Sequence, residues 1–370
     1  AKGAGGALAA SRRLPKTGAA RRAFHYFPAT EDRMALITYL TRIQFDFGAT
    51  RLLPDEMKLA GITRPLLVTD RGVVAAGCDG LVAVGGGSSM DLAKAVALLA
   101  THPGDLAQYM AIEGGVARIT PKVAPVIAVP TTSGTGSEVG RGAVVILEDG
   151  RKLALISPHL IPRLALCDPE LTLGLPPGLT AATGMDALAH CVETFLAPAS
   201  NPPAEAIALD GATRIAGHLE RAVQDGGDRE ARWNMMMASM EGAMAFQKGL
   251  GAVHALSHPL GAIQPLNMHH GTLNAVVMPA VLRFNAGVNG IGWKYDRLRQ
   301  VMGLPAGTAL DRHVEALNAR IGIPGGLRAM GLTEAMFAQV VPHALKDHTA
   351  ATNPRPLTAE GVEALLREAM

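Results

Sequence analysis

Six of the chain's 12 histidines fall in the stretch from His190 to His270, and five of them, His218 aside, come with a carboxylate at a suggestive spacing. Asp186 and His190 are four residues apart, as are His254 and His258, so each pair shares one face if its segment is helical. His269 and His270 follow, with Gly271 behind them. Three neutral imidazoles and one carboxylate converging between helices suit a divalent transition metal such as Fe(II) or Zn(II). The sequence has no HExxH, so zinc-protease chemistry is not supported.

A second group of residues suits a phosphate. GGGSS at 85–89 lies between an apolar run and a helical pattern, where glycines let the backbone approach a diphosphate and a helix N-terminus offers free N–H groups. It matches neither GxGxxG nor the Walker A pattern, because GGGSSMDLAK lacks the Gly-Lys-Ser/Thr ending. A polar loop, PTTSGTGSE, follows the next apolar run and strengthens the phosphate reading. Asp70 closes the run PLLVTD; a carboxylate there could accept two hydrogen bonds from an adenosine ribose and would repel a 2′-phosphate.

The elements that must position these groups divide into two kinds. PLLVTD (65–70), LVAVGGGSS (81–89) and APVIAVPTTSGTGSE (124–138) carry apolar runs without alternation, the pattern of parallel strands buried on both faces. The helix after GGGSS is expected to begin at Met90 or Asp91. Only ten residues separate Asp70 from Leu81, close to the lower limit for a crossover between parallel strands, so this domain reads as shortened. Past Pro176 and Pro177 the periodicity turns helical, with segments expected over 180–195, 204–224, 230–247, 253–263 and 273–285. The expected organisation is an extension outside the fold at 1–33, a nucleotide-binding α/β domain at 34–175 and a helical metal-binding domain at 176–370.

Composition narrows the function. A net charge of +2 favours neither nucleic acid nor an anionic membrane as a partner, and the apolar runs stop well short of a bilayer span. Hydrophobic residues make up 48% and aromatics 4%, so the core is aliphatic. Cys78, Cys167 and Cys191 are odd in number and widely spaced, which argues against disulfides and for a reducing, cytoplasmic setting.

Taken together, GGGSSMDLAK, VPTTSGTGSE, CDPELTLGLP, TAATGMDALAHCVE, GLGAVHALSHPLGA and HHGTLNAVVMP resemble the iron-containing (group III) alcohol dehydrogenase family, from about Met34 to the C-terminus. MALITYLTRIQFDFGA, IEGGVARIT and AFQKGLGAVHALSHPLG are similar to the branch acting on 4-hydroxybutyrate. The resemblance implies a dehydroquinate synthase-like fold with NAD between the two domains and Fe(II), sometimes replaced by Zn(II), in the cleft. Position by position, it implies Asp186, His190, His254 and His270 as metal ligands and His258 as a residue beside the nicotinamide. Gly86, Gly87, Ser88, Asp91, Thr131, Thr132, Lys152 and Leu171 become cofactor contacts, with Asp70 on the ribose.

The sequence departs from that family in three places. About fifty residues usual between VTD and the GGGS strand have no counterpart here. His254 and His270 are sixteen residues apart instead of fourteen, so the intervening loop must bulge. Gly140 and Gly142 replace larger residues beside the cofactor. The expected activity is reversible, NAD-linked oxidation of 4-hydroxybutyrate to succinate semialdehyde by a homo-oligomer. His258 would relay the alcohol proton, and Lys248, with Arg141 as second choice, would anchor the substrate carboxylate. The alternatives are a glycerol-, lactaldehyde- or simple-alcohol dehydrogenase, a metal-free maleylacetate-type reductase, and a cofactor-binding protein without catalysis.

Overall fold

Five short strands form one parallel sheet in the computed structural model, which describes residues 41–69, 77–147, 151–264 and 266–370. They are β1 (Arg42–Phe45), β2 (Pro65–Val68), β3 (Gly80–Gly85), β4 (Val126–Pro130) and, after a hairpin, β7 (Leu164–Cys167), in the order β1-β7-β4-β3-β2. The hairpin pairs β5 (Gly142–Ile146) with β6 (Lys152–Ile156) in antiparallel register.

The unalternating runs have a physical cause in the two covered faces. On one face Leu81, Ala83, Val126 and Ala128 pack against Met90, Ala93 and Ala97 of α2 (Gly87–Leu99). On the other, Val82, Ile127, Val129, Leu164 and Leu166 form a cluster with Ile62, covered by Leu53, Met57 and Ala60 of α1 (Leu53–Ala60). Residues 81–84 of β3 and 126–129 of β4 therefore each have an apolar environment on their own side. β2 and β3 are neighbours, Pro65 opposite Gly80. Asp70 and the rest of 70–76, which connect these strands, lie outside the described residues, as does the expected extension at 1–33.

From Pro177 onward the described elements are helices: α3 (Pro177–Leu196), α4 (Pro202–Gln224), α5 (Arg229–Ala245), α6 (Ala252–Gly261), α7 (His270–Ala286), α8 (Gly292–Val301), α9 (Leu310–Arg320), α10 (Phe337–Lys346) and α11 (Ala359–Glu368), with short 3₁₀ turns between. α3 runs through their middle, and every residue from Thr180 to Leu196 is buried. An ionisable group on such a helix needs a partner or a use, because desolvating a lone charge is costly. All the described residues belong to one compact unit.

Candidate active site

α3 presents Asp186, His190 and Glu193 on successive turns toward α6 and α7. Asp186 Oδ1 lies 3.8 Å from His190 Nε2, 3.7 Å from His254 Nε2 and 3.6 Å from His270 Nε2. These separations exceed hydrogen-bond length, yet they suit a shared cation: tetrahedral bonds of about 2.1 Å put neighbouring donor atoms about 3.4 Å apart. One ligand atom each from Asp186, His254 and His270 lies within 4.8 Å of the others, while His190 joins through Asp186 and stacks on His254 at 4.7 Å between ring centroids. Of the two adjacent histidines, His270 enters the cluster and His269 is exposed. In the loop before His269, Asn267 adopts a positive φ of 46°. Gly271 lets α7 lie against α3, since a Cβ there would overlap the Ala182 carbonyl.

Charge and hydrogen bonding prepare this donor set for a positive ion. Burial alone would raise the Asp186 carboxyl, but the surrounding imidazoles His190, His270 and His254 hold it far below the usual carboxylate range. Burial lowers His190 to about 4 and puts His270 well below its ordinary value, so both rings are neutral with free lone pairs at pH 7. Burial works against the His254 proton too, yet the nearby Asp186 carboxylate and the hydrogen-bonded Glu193 carboxylate raise that imidazole to about 9, a proton that an incoming cation would displace. Asn274 supplies the positively polarised group nearest the cluster: Nδ2 donates to Asp186 Oδ1 at 2.7 Å and lies 3.2 Å from His270 Nε2 and 3.4 Å from His254 Nε2. A carboxylate, two neutral imidazoles and a third that gives up its proton to the metal, all aimed at one point, fit a divalent ion of the Fe(II) or Zn(II) type.

Two further carboxylates orient the imidazoles, and the sequence analysis missed both. Glu193 Oε2 accepts from His254 Nδ1 at 2.6 Å, and its Oε1 accepts from Val253 N at 2.6 Å. Asp347, at the end of α10, accepts from His258 Nδ1 at 2.8 Å while Thr349 donates to its other oxygen from both N and Oγ1. Because a carboxylate only accepts, each imidazole donates from Nδ1 and keeps Nε2 as its acceptor. His258 stacks on His270 at 5.4 Å and on His348 at 6.1 Å between centroids. Glu193 carried a usable signal in the sequence, lying seven residues from Asp186 on the same helix face; Asp347 had none.

The cofactor candidates gather at the carboxyl ends of β3, β4 and β7, the edge of a parallel sheet where ligands bind. α2 begins at Gly87 instead of at Met90 or Asp91, so Gly86 is its N-cap and Gly87 and Ser88 form its first turn. Thr132 packs beside Gly86, and Thr131 N donates to Gly85 O at 3.0 Å. Leu171 is exposed in the turn after β7. Lys152 opens β6 and approaches Gly261 of α6; burial lowers its pKa, opposed by the charges of Asp91 and Asp186.

Two expectations are corrected. Asp91, expected as a cofactor contact, is buried and internally committed: Ser137 Oγ donates to its Oδ1 at 2.6 Å and Val144 N to its Oδ2 at 2.8 Å, so it braces the loop after β4. Lys248 is not free to anchor a substrate. Its Nζ donates to Thr194 O at 2.7 Å and Ala197 O at 2.6 Å, with Glu205 at 3.3 Å, and its side chain is 0% exposed. Nearness in sequence to His254 misled because Gly249, at φ 130°, turns the chain between them.

The metal cluster opens into a cleft of about 310 Å³ reached by Arg141, Phe246, His258 and His348. Among the described residues no helix is long and apolar enough to cross a membrane.

Comparison with known proteins agrees with this architecture. Residues 73–169 match the family model "Iron-containing alcohol dehydrogenase", and residues 180–370 match "Fe-containing alcohol dehydrogenase family, C-terminal". The 4-hydroxybutyrate dehydrogenase of Cupriavidus necator is 57% identical over 382 positions, covering 91% of this chain and 100% of that protein. Since 91% of 370 residues is about 337, about 45 aligned positions of that relative face no residue here, a shortfall comparable to the one expected between VTD and GGGS. A solved 1,3-propanediol oxidoreductase superposes with a TM-score of 0.83 at 32% identity, covering 91% of this chain and 100% of that one. Sulfoacetaldehyde reductase from Bifidobacterium kashiwanohense, solved with NAD+, superposes with a TM-score of 0.81 at 26% identity, covering 91% and 99%. With both halves of the fold matched and the histidine cluster assembled between α3, α6 and α7, the chain belongs to the iron-containing alcohol dehydrogenase family.

Proposed function

We propose that this chain catalyses the reversible, NAD-linked oxidation of 4-hydroxybutyrate to succinate semialdehyde, using Fe(II), or Zn(II) in its place, held by Asp186, His190, His254 and His270. The observation that carries the reading is the approach of three imidazole Nε2 atoms to one oxygen of Asp186, at 3.6 to 3.8 Å, in a cleft beside the carboxyl ends of β3 and β4. The substrate follows from the 57% identity to the Cupriavidus necator enzyme.

When bound, the metal supplies a Lewis acid for the alcohol oxygen and the nicotinamide accepts the hydride. The chain's own residues do the rest. Gly86, Gly87 and Ser88 hold the diphosphate through the free N–H groups at the start of α2, and Thr131 and Thr132 line its path. Lys152 and Leu171 flank the cofactor, and Asp70 selects NAD by its charge against a 2′-phosphate. His258, its Nδ1–H donated to Asp347, offers Nε2 to the hydroxyl proton and passes it toward His348, which is 47% exposed at the mouth of the cleft. The residues up to 175 act as the cofactor-binding part and those from 176 as the metal-binding part.

The test follows NADH absorbance with 4-hydroxybutyrate, 1,4-butanediol, 1,3-propanediol and 1-butanol. The expected result is the highest kcat/KM for 4-hydroxybutyrate with NAD. Equal or better turnover of 1-butanol would overturn the substrate, and no NADH from any alcohol would overturn the activity.

A further inference from the structure

With Lys248 committed to backbone carbonyls, an anionic substrate needs another cation in the cleft, and the structure offers one on an unusually firm support. Arg141 immediately precedes β5. Lys94, wholly buried in α2, donates from Nζ to Gly140 O at 2.9 Å and to Gly142 O at 2.8 Å, on either side of it. The Arg141 carbonyl between them accepts from Ser157 N at 3.1 Å. Lys94 is itself tied to Ser137 Oγ at 2.8 Å, and Ser137 to Asp91. Three consecutive carbonyls are thus fixed by a buried network, and glycines on both flanks leave the arginine side chain uncrowded.

The guanidinium of Arg141, by contrast, has no hydrogen bond or ion pair among the described residues, and it lines the cleft with Phe246, His258 and His348. It lies close enough to His348 to disfavour that imidazole's proton, adding to the larger effect of burial. Lys152, outside the cleft lining, faces Asp91 and Asp186. A carboxylate entering a partly desolvated cleft is costly unless paired, and a guanidinium pairs with it through two parallel hydrogen bonds.

We propose that Arg141 binds the carboxylate of the substrate and so sets the enzyme's preference for an ω-hydroxy acid over a neutral alcohol of the same length. This rests on the reading of 4-hydroxybutyrate as substrate. The phosphates of the cofactor share the same anionic chemistry, but their expected contacts are Gly86, Gly87, Ser88, Thr131 and Thr132 at the carboxyl ends of β3 and β4, whereas Arg141, at the far end of the loop after β4, lines the cleft with His258 and His348.

Steady-state kinetics on Arg141→Met, Arg141→Gln and Arg141→Lys, with 4-hydroxybutyrate, 1,4-butanediol and NAD varied in turn, test this. Both neutral variants should raise KM for 4-hydroxybutyrate at least tenfold, with KM for 1,4-butanediol and NAD within about twofold. Arg141→Lys should recover part of the loss. Butyrate should inhibit the wild type competitively and the Met variant at least tenfold less. Equal effects on acid and diol, no effect on either, or a rise in KM for NAD instead would overturn the assignment. A wild type that prefers 4-hydroxybutyrate while the variants behave normally removes only Arg141 as its anchor. A wild type that oxidises the diol but not the acid overturns the substrate reading, and the anchor with it.

Discussion

Replacing Glu193 with Gln should weaken metal binding by 10- to 100-fold while leaving the fold in place. The carboxylate is buried against α6, with Oε2 on His254 Nδ1 and Oε1 on Val253 N, each at 2.6 Å. Its charge fixes the His254 tautomer that turns Nε2 toward Asp186, and it makes the ring a better donor to a cation. Glutamine keeps the shape and the bond from Val253 but turns a charge-assisted hydrogen bond into a neutral one about half as strong. An orienting carboxylate of this kind is worth about 10- to 100-fold in affinity, or about 1.4 to 2.8 kcal/mol at 1.4 kcal/mol per decade. The assay is titration of metal-free protein with Zn(II) against a chromophoric chelator, alongside the visible spectrum of the Co(II)-loaded form. Thermal melts of the metal-free protein separate a weakened site from a damaged fold. Affinity within twofold of wild type, with an unaltered Co(II) spectrum, would show that Glu193 does not orient His254 for the metal.

Lys248→Met should lower the Tm, because it removes two short hydrogen bonds from a buried ammonium to the end of α3, worth about 1.5 to 3 kcal/mol each where a charge is involved, while KM for 4-hydroxybutyrate and 1-butanol changes equally or not at all. A selective rise for the acid would restore the lysine as an anchor. Burial raises the Glu138 carboxyl from 4.5 to about 7, so the unfolded chain binds fewer protons than the folded one across that interval and stability falls as pH rises through it, by up to about 3 kcal/mol. Glu138→Gln should therefore raise the Tm at pH 8 and change it little at pH 4.5, and equal shifts at both pH values would contradict the sign. His190→Ala and His254→Ala should each lose the bound divalent ion, about one per chain in the wild type, as read by elemental analysis.

What the sequence made legible follows from which features are periodic. The helical segments expected over 180–195, 204–224, 230–247, 253–263 and 273–285 correspond to α3 through α7 with their ends displaced by a few residues, since an apolar stripe fixes the middle of a helix better than its caps. α2 starts earlier than expected because Gly87 enters the first turn, where a missing side chain is no obstacle and a Cβ would meet Thr135. The β5–β6 hairpin went unread although Asp149–Gly150 between two aliphatic runs was a turn signal. At the site, Asp186 with His190 and His254 with His258 stood out by spacing. Glu193, Asn274 and Asp347 act through contacts 61, 88 and 89 residues away in sequence; the seven-residue spacing from Asp186 places Glu193 on the right helix face, but no local pattern encodes the partner of any of the three. Lys248 and Arg141 show the same limit from the other side: which of two cations faces the cleft depends on Gly249 and on the clamp at Lys94, not on distance from His254 along the chain.

If the Asp186–His190–His254–His270 cluster works by holding a divalent ion during NAD-linked oxidation of 4-hydroxybutyrate, turnover must follow the metal. The most direct test is the rate of NADH formation from that substrate before chelation, after exhaustive chelation, and after anaerobic return of Fe(II) or, separately, Zn(II). Turnover should be lost with the metal, recover on adding one equivalent back, and not recover in His254→Ala. Full turnover by the metal-free protein would contradict that role for the cluster.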